Sequence, residues 1–143
     1  MTAHAVAEAL GGKKVLKRQI RSDLDLLAAI QRGLPTRAVE EVLRSGLFEP
    51  GEVYELVVAR RTLAHRKEKR QPLSPEQSDR LARVVRVADL AEDALGNRQK
   101  AARWLRKPNR SIQGKRPIDL LKSDIGARMV ERALGRIEHG VYS

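Results

Sequence analysis

Apolar residues recur at three- and four-residue spacings along almost the whole of this chain, and no stretch alternates cleanly between apolar and polar. A period near 3.6 gathers such residues on one face of a helix, whereas a half-buried strand needs a period of 2. The spacing therefore predicts an all-α fold of about eight helices. Over 143 residues, 41% of them hydrophobic, there is enough apolar material for one core or for two small ones. No internal repeat or low-complexity segment interrupts the pattern.

Punctuation residues set the expected boundaries. The first twelve residues, alanine-rich and ending Gly11-Gly12, read as a flexible tail. From about Val15 a helix carries Ile20, Leu24, Leu27 and Ile30 on one face, and Gly33 and Pro35 end it. Thr36 is placed to cap the next helix, which buries Val39, Val42 and Leu43 and stops at Gly46. Pro50 suits the first turn of a third helix with Val53, Leu56 and Val57, and a short helix follows from Arg60 to Lys69. After Pro72, Ser74-Pro75-Glu76-Gln77 spells a capping box, because Gln77 can reach back to the Ser74 backbone N–H. The helix it opens is the longest, with a stripe of Leu81, Val84, Val85, Ala88, Ala91 and Leu95 closed by Gly96. That stripe suits an intramolecular core or a dimer interface equally well. Asn97 starts a further helix that ends at Pro108-Asn109. A polar loop to Arg116, a short helix at Pro117 to Leu121 and a last helix capped by Ser123 complete the chain, with Gly140 ending that helix.

Charge and residue types exclude several function classes. The formal charge of +11 calls for a polyanion or an acidic protein surface as partner. Arg60, Arg61, Arg66, Lys67, Lys69 and Arg70 crowd eleven positions against only Glu68. A second run, Arg98 to Arg116, holds eight basic residues and no acidic one; an acidic protein rim, a DNA backbone and plain solvation each account for it. Four aromatic residues are too few to build base-stacking platforms for single strands. Cysteine is absent, which removes disulfides, Fe–S clusters and thiol chemistry. No apolar run approaches the ~20 residues of a membrane span and no basic n-region precedes the N-terminal apolar residues, so a cytoplasmic protein is expected. His4, His65 and His139 are far apart and lack ligand-spaced partners, so neither a metal nor another cofactor is expected. There is no phosphate-cradling glycine loop after a strand and no nucleophile elbow. Glu92 and Asp93 are adjacent on a helix and point apart. An enzyme is not expected.

Residues 50 to 70 have the layout of a helix-turn-helix, and Leu56 to Arg66 resembles the turn and recognition helix of Xre-type regulators. Such a helix needs one apolar residue facing its own core, here Leu63, with long donors opposite to reach phosphates or guanine edges. Arg60, Arg61, Thr62, His65, Arg66 and Lys69 supply that face. One departure is Val57, where the turn usually holds glycine: a β-branched residue tolerates positive φ poorly. Helix-turn-helix proteins read paired half-sites, so a homodimer is expected.

The last forty residues carry the most detailed pattern. Trp104-Leu105, Pro108-Asn109, Gly114, Pro117 and Asp119-Leu120-Leu121 are followed by Gly126, Val130, Leu134, Ile137-Glu138 and Gly140-Val141-Tyr142. This order resembles the toxin-binding domain of Xre/MbcA/ParS-type antitoxins, partners of RES-class toxins. Most of these residues have a packing role: Trp104, Leu105, Leu120, Leu121, Val130, Leu134 and Ile137 as core, Pro108, Gly114 and Pro117 as turn formers. Packing leaves the ending unexplained, since a helix carrying an aromatic tip suits insertion into a cavity of another protein. The resemblance implies that the RES toxin consumes NAD and that the antitoxin's C-terminal portion blocks its active-site cleft. Carried over, Arg136, Glu138, Val141, Tyr142 and Ser143 contact the toxin, the terminal carboxylate with them. Lys122-Ser123-Asp124-Ile125 departs from the family's usual Thr-Glu before the glycine, although Asp124 keeps a negative charge at a helix start.

The expected organisation is thus a tail (1–12), a helix-turn-helix domain (13–73), a connector helix (74–96) and a toxin-binding domain (97–143). The resemblance implies an antitoxin that binds a RES toxin and the operator of its own operon, as a homodimer within a larger complex. The competing reading is a stand-alone dimeric transcriptional regulator.

Overall fold

The computed structural model describes residues 3–138 and 140. These residues form nine α-helices, two 3₁₀ turns and one isolated bridge between Asn109 and Lys115, with no strand among them. The chain divides into two compact units, 1–85 and 86–143.

In the first unit, α1 (Ala3–Ala9) and α2 (Gly12–Leu16) replace the expected tail. The correction has a packing cause: Val6, Ala7, Leu10 and Val15 are all buried, Leu10 completely. Burial of that alanine- and valine-rich face outweighs the fraying that a terminal segment otherwise shows. The helix expected from Val15 through Ile30 is also two helices. Lys17 turns left-handed at φ 62° and ends α2, while Ser22 Oγ accepts the Asp25 N–H at 3.1 Å and starts α3 (Asp23–Arg32). The break rotates Leu24 and Leu27 outward, leaving them 75% and 46% exposed.

Helix α4 (Thr36–Arg44) begins at Thr36, with Pro35 in the cap position and no side-chain cap, where Thr36 itself had been expected to cap. Gly33 lies at φ 96°, and a Cβ there would run into the Leu73 carbonyl. The same backbone is clamped twice more. Leu34 donates its N–H to the fully buried Ser78 Oγ at 2.8 Å and accepts the Leu73 N–H at 2.9 Å. Helix α5 (Pro50–Leu56) opens on a reciprocal capping box between Glu49 and Glu52, and α6 (Arg60–Glu68) follows after three residues.

Helix α7 (Pro75–Leu95) starts as its sequence signature requires: Ser74 N–H reaches Gln77 Oε1 at 2.9 Å and Gln77 N–H reaches Ser74 Oγ at 3.1 Å. The boundary between the units falls inside α7, so residues 74–96 divide between the two units. Leu81, Val84 and Val85 lie buried on the first side of that boundary, Val87, Ala88 and Ala91 on the second. Only Leu95, the last residue of the stripe, is half-buried; the others are buried within the chain.

The second unit continues with α8 (Arg98–Arg106), two 3₁₀ turns (Arg110–Ile112 and Pro117–Leu120) and α9 (Asp124–Glu138). Asn97 Oδ1 caps α8 by accepting the Lys100 N–H at 2.8 Å, and Ser123 Oγ caps α9 by accepting the Gly126 N–H at 3.1 Å. The expected polar loop is folded: Asn109 Oδ1 accepts from Ser111, Asn109 N–H meets the Lys115 carbonyl, and Ile112 is buried. Ala101, Leu105, Ile118, Leu121, Ala127, Val130 and Leu134 build the core. Trp104, Leu120 and Ile137, expected in that core, are only half-buried. Arg86 Nε to Glu131 Oε1, at 2.6 Å, ties α7 to α9.

Candidate functional site

The turn between α5 and α6 resolves the difficulty that Val57 posed. Val57 adopts φ −117°, ψ −65°, and Ala59 an extended conformation at φ −58°, ψ 144°, so the turn contains no left-handed residue. The β-branched side chain is therefore spared the positive φ it tolerates poorly. Leu56, Val57, Val58 and Leu63 are all buried and seat the two helices on the rest of the unit. Across α6, Lys67 Nζ reaches Glu40 Oε1 of α4 at 2.7 Å, a tie that the sequence did not reveal.

The six named basic-helix residues divide by environment. Arg61, His65 and Lys69 follow one another at four-residue intervals and are exposed, which puts them on one side of α6. Thr62 is half-buried on the same side. Arg60 is exposed but lies three residues before buried Leu63, on the flank of the face. Arg66 is half-buried, and its Nη1 donates to the Pro72 carbonyl at 2.7 Å. That bond secures the segment after α6, where Arg70 is forced to φ 55°. No side chain caps the first turn of α6, and two arginines occupy it in place of acids. Positive charge at a helix N-terminus opposes the macrodipole.

In the second unit, α9 ends with Arg136 half-buried and Glu138 exposed. Gly140, at φ 74°, adopts the left-handed conformation and donates its N–H to the Ile137 carbonyl at 3.0 Å. Val141, Tyr142 and Ser143, the remaining residues expected to meet a toxin, lie outside the described residues. Gly126 has a clear reason to be glycine: a Cβ there would meet the Leu120 carbonyl oxygen head-on, with the carbonyl carbon at 2.9 Å and Ser123 Oγ at 3.0 Å. The glycine is what lets α9 pack against the 3₁₀ turn that precedes it.

Two titratable groups in this unit are shifted. Burial, and then the Asp93 and Glu92 carboxylates, push Asp89 above the usual carboxylate range. The Arg116 side chain, which hydrogen-bonds Asp119 through two nitrogens at 2.8 and 2.9 Å, holds Asp119 below it. Neither arrangement gathers a nucleophile with a base. Among the described residues no helix is long and apolar enough to cross a membrane.

An N-terminal helix-turn-helix unit followed in sequence by a small helical unit places the chain among modular helix-turn-helix proteins. Comparison with known proteins narrows this. Residues 25–86 match the Antitoxin Xre-like helix-turn-helix domain, and residues 90–140 match the Antitoxin Xre/MbcA/ParS C-terminal toxin-binding domain. An Antitoxin Xre of Photorhabdus laumondii is 32% identical over 120 residues, covering 82% of this chain and 81% of the relative. An Antitoxin Xre of Pseudomonas putida is 32% identical over 122 residues, covering 85% and 76%. A Prs ADP-ribosylating antitoxin of a Sphingobium species is 26% identical over 132 residues, covering 85% and 83%. The chain belongs to the Xre family of antitoxins. Its role is therefore to neutralise a toxin by binding rather than to catalyse a reaction, and its helix-turn-helix is a DNA-binding module. A stand-alone regulator is not the role this family holds.

Proposed function

We propose that this antitoxin neutralises a RES-domain, NAD-consuming toxin by covering its active site with the end of α9 and the residues that follow, Arg136, Glu138, Val141, Tyr142 and Ser143. The observation that carries the reading is the match of residues 90–140 to a toxin-binding domain, a span that includes α9 and its capping Gly140. An α-helix packed through Ala127, Val130 and Leu134 is rigid enough to present its last turn without an ordering cost at binding. The relative named for ADP-ribosylation supports the NAD chemistry, since an ADP-ribosyl group is drawn from NAD.

The same chain represses its own operon through α5 and α6. Arg61, His65 and Lys69 face the major groove, with Arg60 on the flank, and phosphates relieve the uncapped, cationic first turn of α6. Arg66 serves the face by fixing the segment behind it. The domain limits follow the notional modules: residues 13–73 for DNA, 97–143 for the toxin, with α7 shared. A homodimer provides the paired recognition helices, and exposed Leu24 and Leu27 on α3 offer an apolar patch for the second copy.

Co-expression with the toxin tests the main claim. Removing residues 140–143 should restore toxicity while the antitoxin remains folded and helical by circular dichroism. A truncated chain that still protects cells fully would move inhibition to another surface.

A further inference from the structure

The basic run Arg98 to Arg116 takes no part in either function described so far, and the structure sorts it. Three of its cations are engaged within the chain: Arg98 faces Glu92 at 3.8 Å, Arg106 donates to the Ala102 carbonyl at 3.0 Å, and Arg116 grips Asp119. The other five, Lys100, Arg103, Lys107, Arg110 and Lys115, are all exposed and make no ion pair among the described residues, although Lys115 is near enough to Asp119 to help hold its carboxyl down. On α8, Ala101 and Leu105 are fully buried one turn apart, so that side faces the core. Lys100 and Arg103 lie three residues apart away from that side, and Lys107, extended at φ −99° and ψ 134°, directly follows the helix. The Asn109–Lys115 bridge then folds the next segment back, with Arg110 and Lys115 exposed on it.

Some exposed cations elsewhere stand beside carboxylates, Arg44 by Glu41, Lys67 by Glu40 and Arg128 by Asp124, and others, such as Lys13, Arg37 and Arg61, have carboxylates close by in sequence without pairing among the described residues. On α8 the sequence withholds every acid from Ala94 to Ile118. Uncompensated like charge costs free energy through mutual repulsion, so an anionic partner is the natural relief. The residue types favour phosphate over an acidic protein rim. Protein interfaces deplete lysine, whereas a row of lysine and arginine ends matches closely spaced backbone phosphates.

We infer that the exposed face of α8 and the turn after it, Lys100, Arg103, Lys107, Arg110 and Lys115, is a second DNA contact, binding the duplex phosphate backbone without regard to base sequence. It is separate from α6 and lies in the unit that the toxin-binding domain occupies. Each cation that meets a phosphate adds about 0.9 to the steepness of the log–log salt dependence. Half-buried Trp104 follows Arg103 on α8, one turn after Lys100, and it is the chain's one tryptophan. Its fluorescence therefore reports occupancy of this face.

The test titrates the full chain with a random-sequence duplex of about 30 base pairs at several salt concentrations, long enough for several phosphate contacts. Lys100→Gln, Arg103→Gln and Lys107→Gln are combined in one variant, Arg61→Gln and Lys69→Gln in a second, and all five in a third. The α8 variant should flatten the salt slope by about 2.7. The α6 variant should keep a salt-dependent residual binding that still changes Trp104 fluorescence, and the fivefold variant should lose it. Binding by the α8 variant with the parent slope, together with a silent Trp104, would overturn the inference and leave the α6 assignment standing. An α8 variant that binds DNA normally but no longer neutralises toxin would overturn it in favour of an acidic protein rim. An α6 variant indistinguishable from the parent would remove the α6 assignment alone.

Discussion

Two glycines of α9 make opposite predictions from the same substitution. Replacing glycine by alanine inside a helix lowers the unfolded chain's entropy and gains about 1 kcal/mol. At Gly135 nothing lies within 4 Å of the new methyl group, so Gly135→Ala should express that gain in full. At Gly126 the methyl group meets the Leu120 carbonyl, which is backbone and cannot rotate aside. Overpacking costs about 1–3 kcal/mol, and a rigid neighbour places this case near the top of that range. The opposing terms leave Gly126→Ala about 2 kcal/mol less stable than the parent and about 3 kcal/mol below Gly135→Ala. For a unit of this size the two variants should differ in Tm by more than about 10 °C. Urea or thermal unfolding followed at Trp104 reads the second unit alone, because the first contains no tryptophan. If Gly126→Ala proved as stable as Gly135→Ala, the close approach of α9 to the preceding turn would be refuted.

In the first unit, Ser78→Ala leaves the buried Leu34 N–H without its acceptor and should cost about 1–3 kcal/mol, measured by chemical denaturation. Asp89 and Asp119 should give opposite pH dependences. Raised Asp89 holds its proton in the folded state after the unfolded chain has lost it, so stability declines as pH rises through the range just above ordinary carboxylates. Asp89→Asn should remove that decline and leave the protein at least as stable at neutral pH. Lowered Asp119 contributes stability that is present above the ordinary carboxylate range and is lost as pH falls through its depressed value; Asp119→Asn should abolish this acid-side loss. Both are read from unfolding curves across acid pH. Leu24→Asp with Leu27→Asp should shift the chain toward monomer in sedimentation, with its helical content unchanged.

Helix content and most helix ends were legible because they depend on neighbours in sequence. The Ser74–Gln77 box, the Asn97 and Ser123 caps and the glycine stops at Gly46, Gly96 and Gly140 all act within a few residues. Features that depend on distant contacts were not. Nothing local says that the first twelve residues bury Leu10, or that Lys17 leaves the helix so that Leu24 faces outward. The Val57 turn suggests strain only if a left-handed residue is required there, and the chain makes the connection without one. For the candidate sites, charge and spacing picked out α6 and the acid-free run. They could not show that Arg66 is bound to Pro72, nor that five of the run's eight cations stay exposed and without an ion pair on α8 and the segment after it. A side chain's partner is a tertiary fact, and charge counts treat every arginine alike.

Hydrogen exchange on the antitoxin with and without its toxin tests the central claim most directly. Amides from Arg136 through Tyr142 should exchange more slowly once the toxin is added, while those of α5 and α6 keep their rates. Unchanged exchange over that segment in a complex that forms and neutralises the toxin would contradict the account.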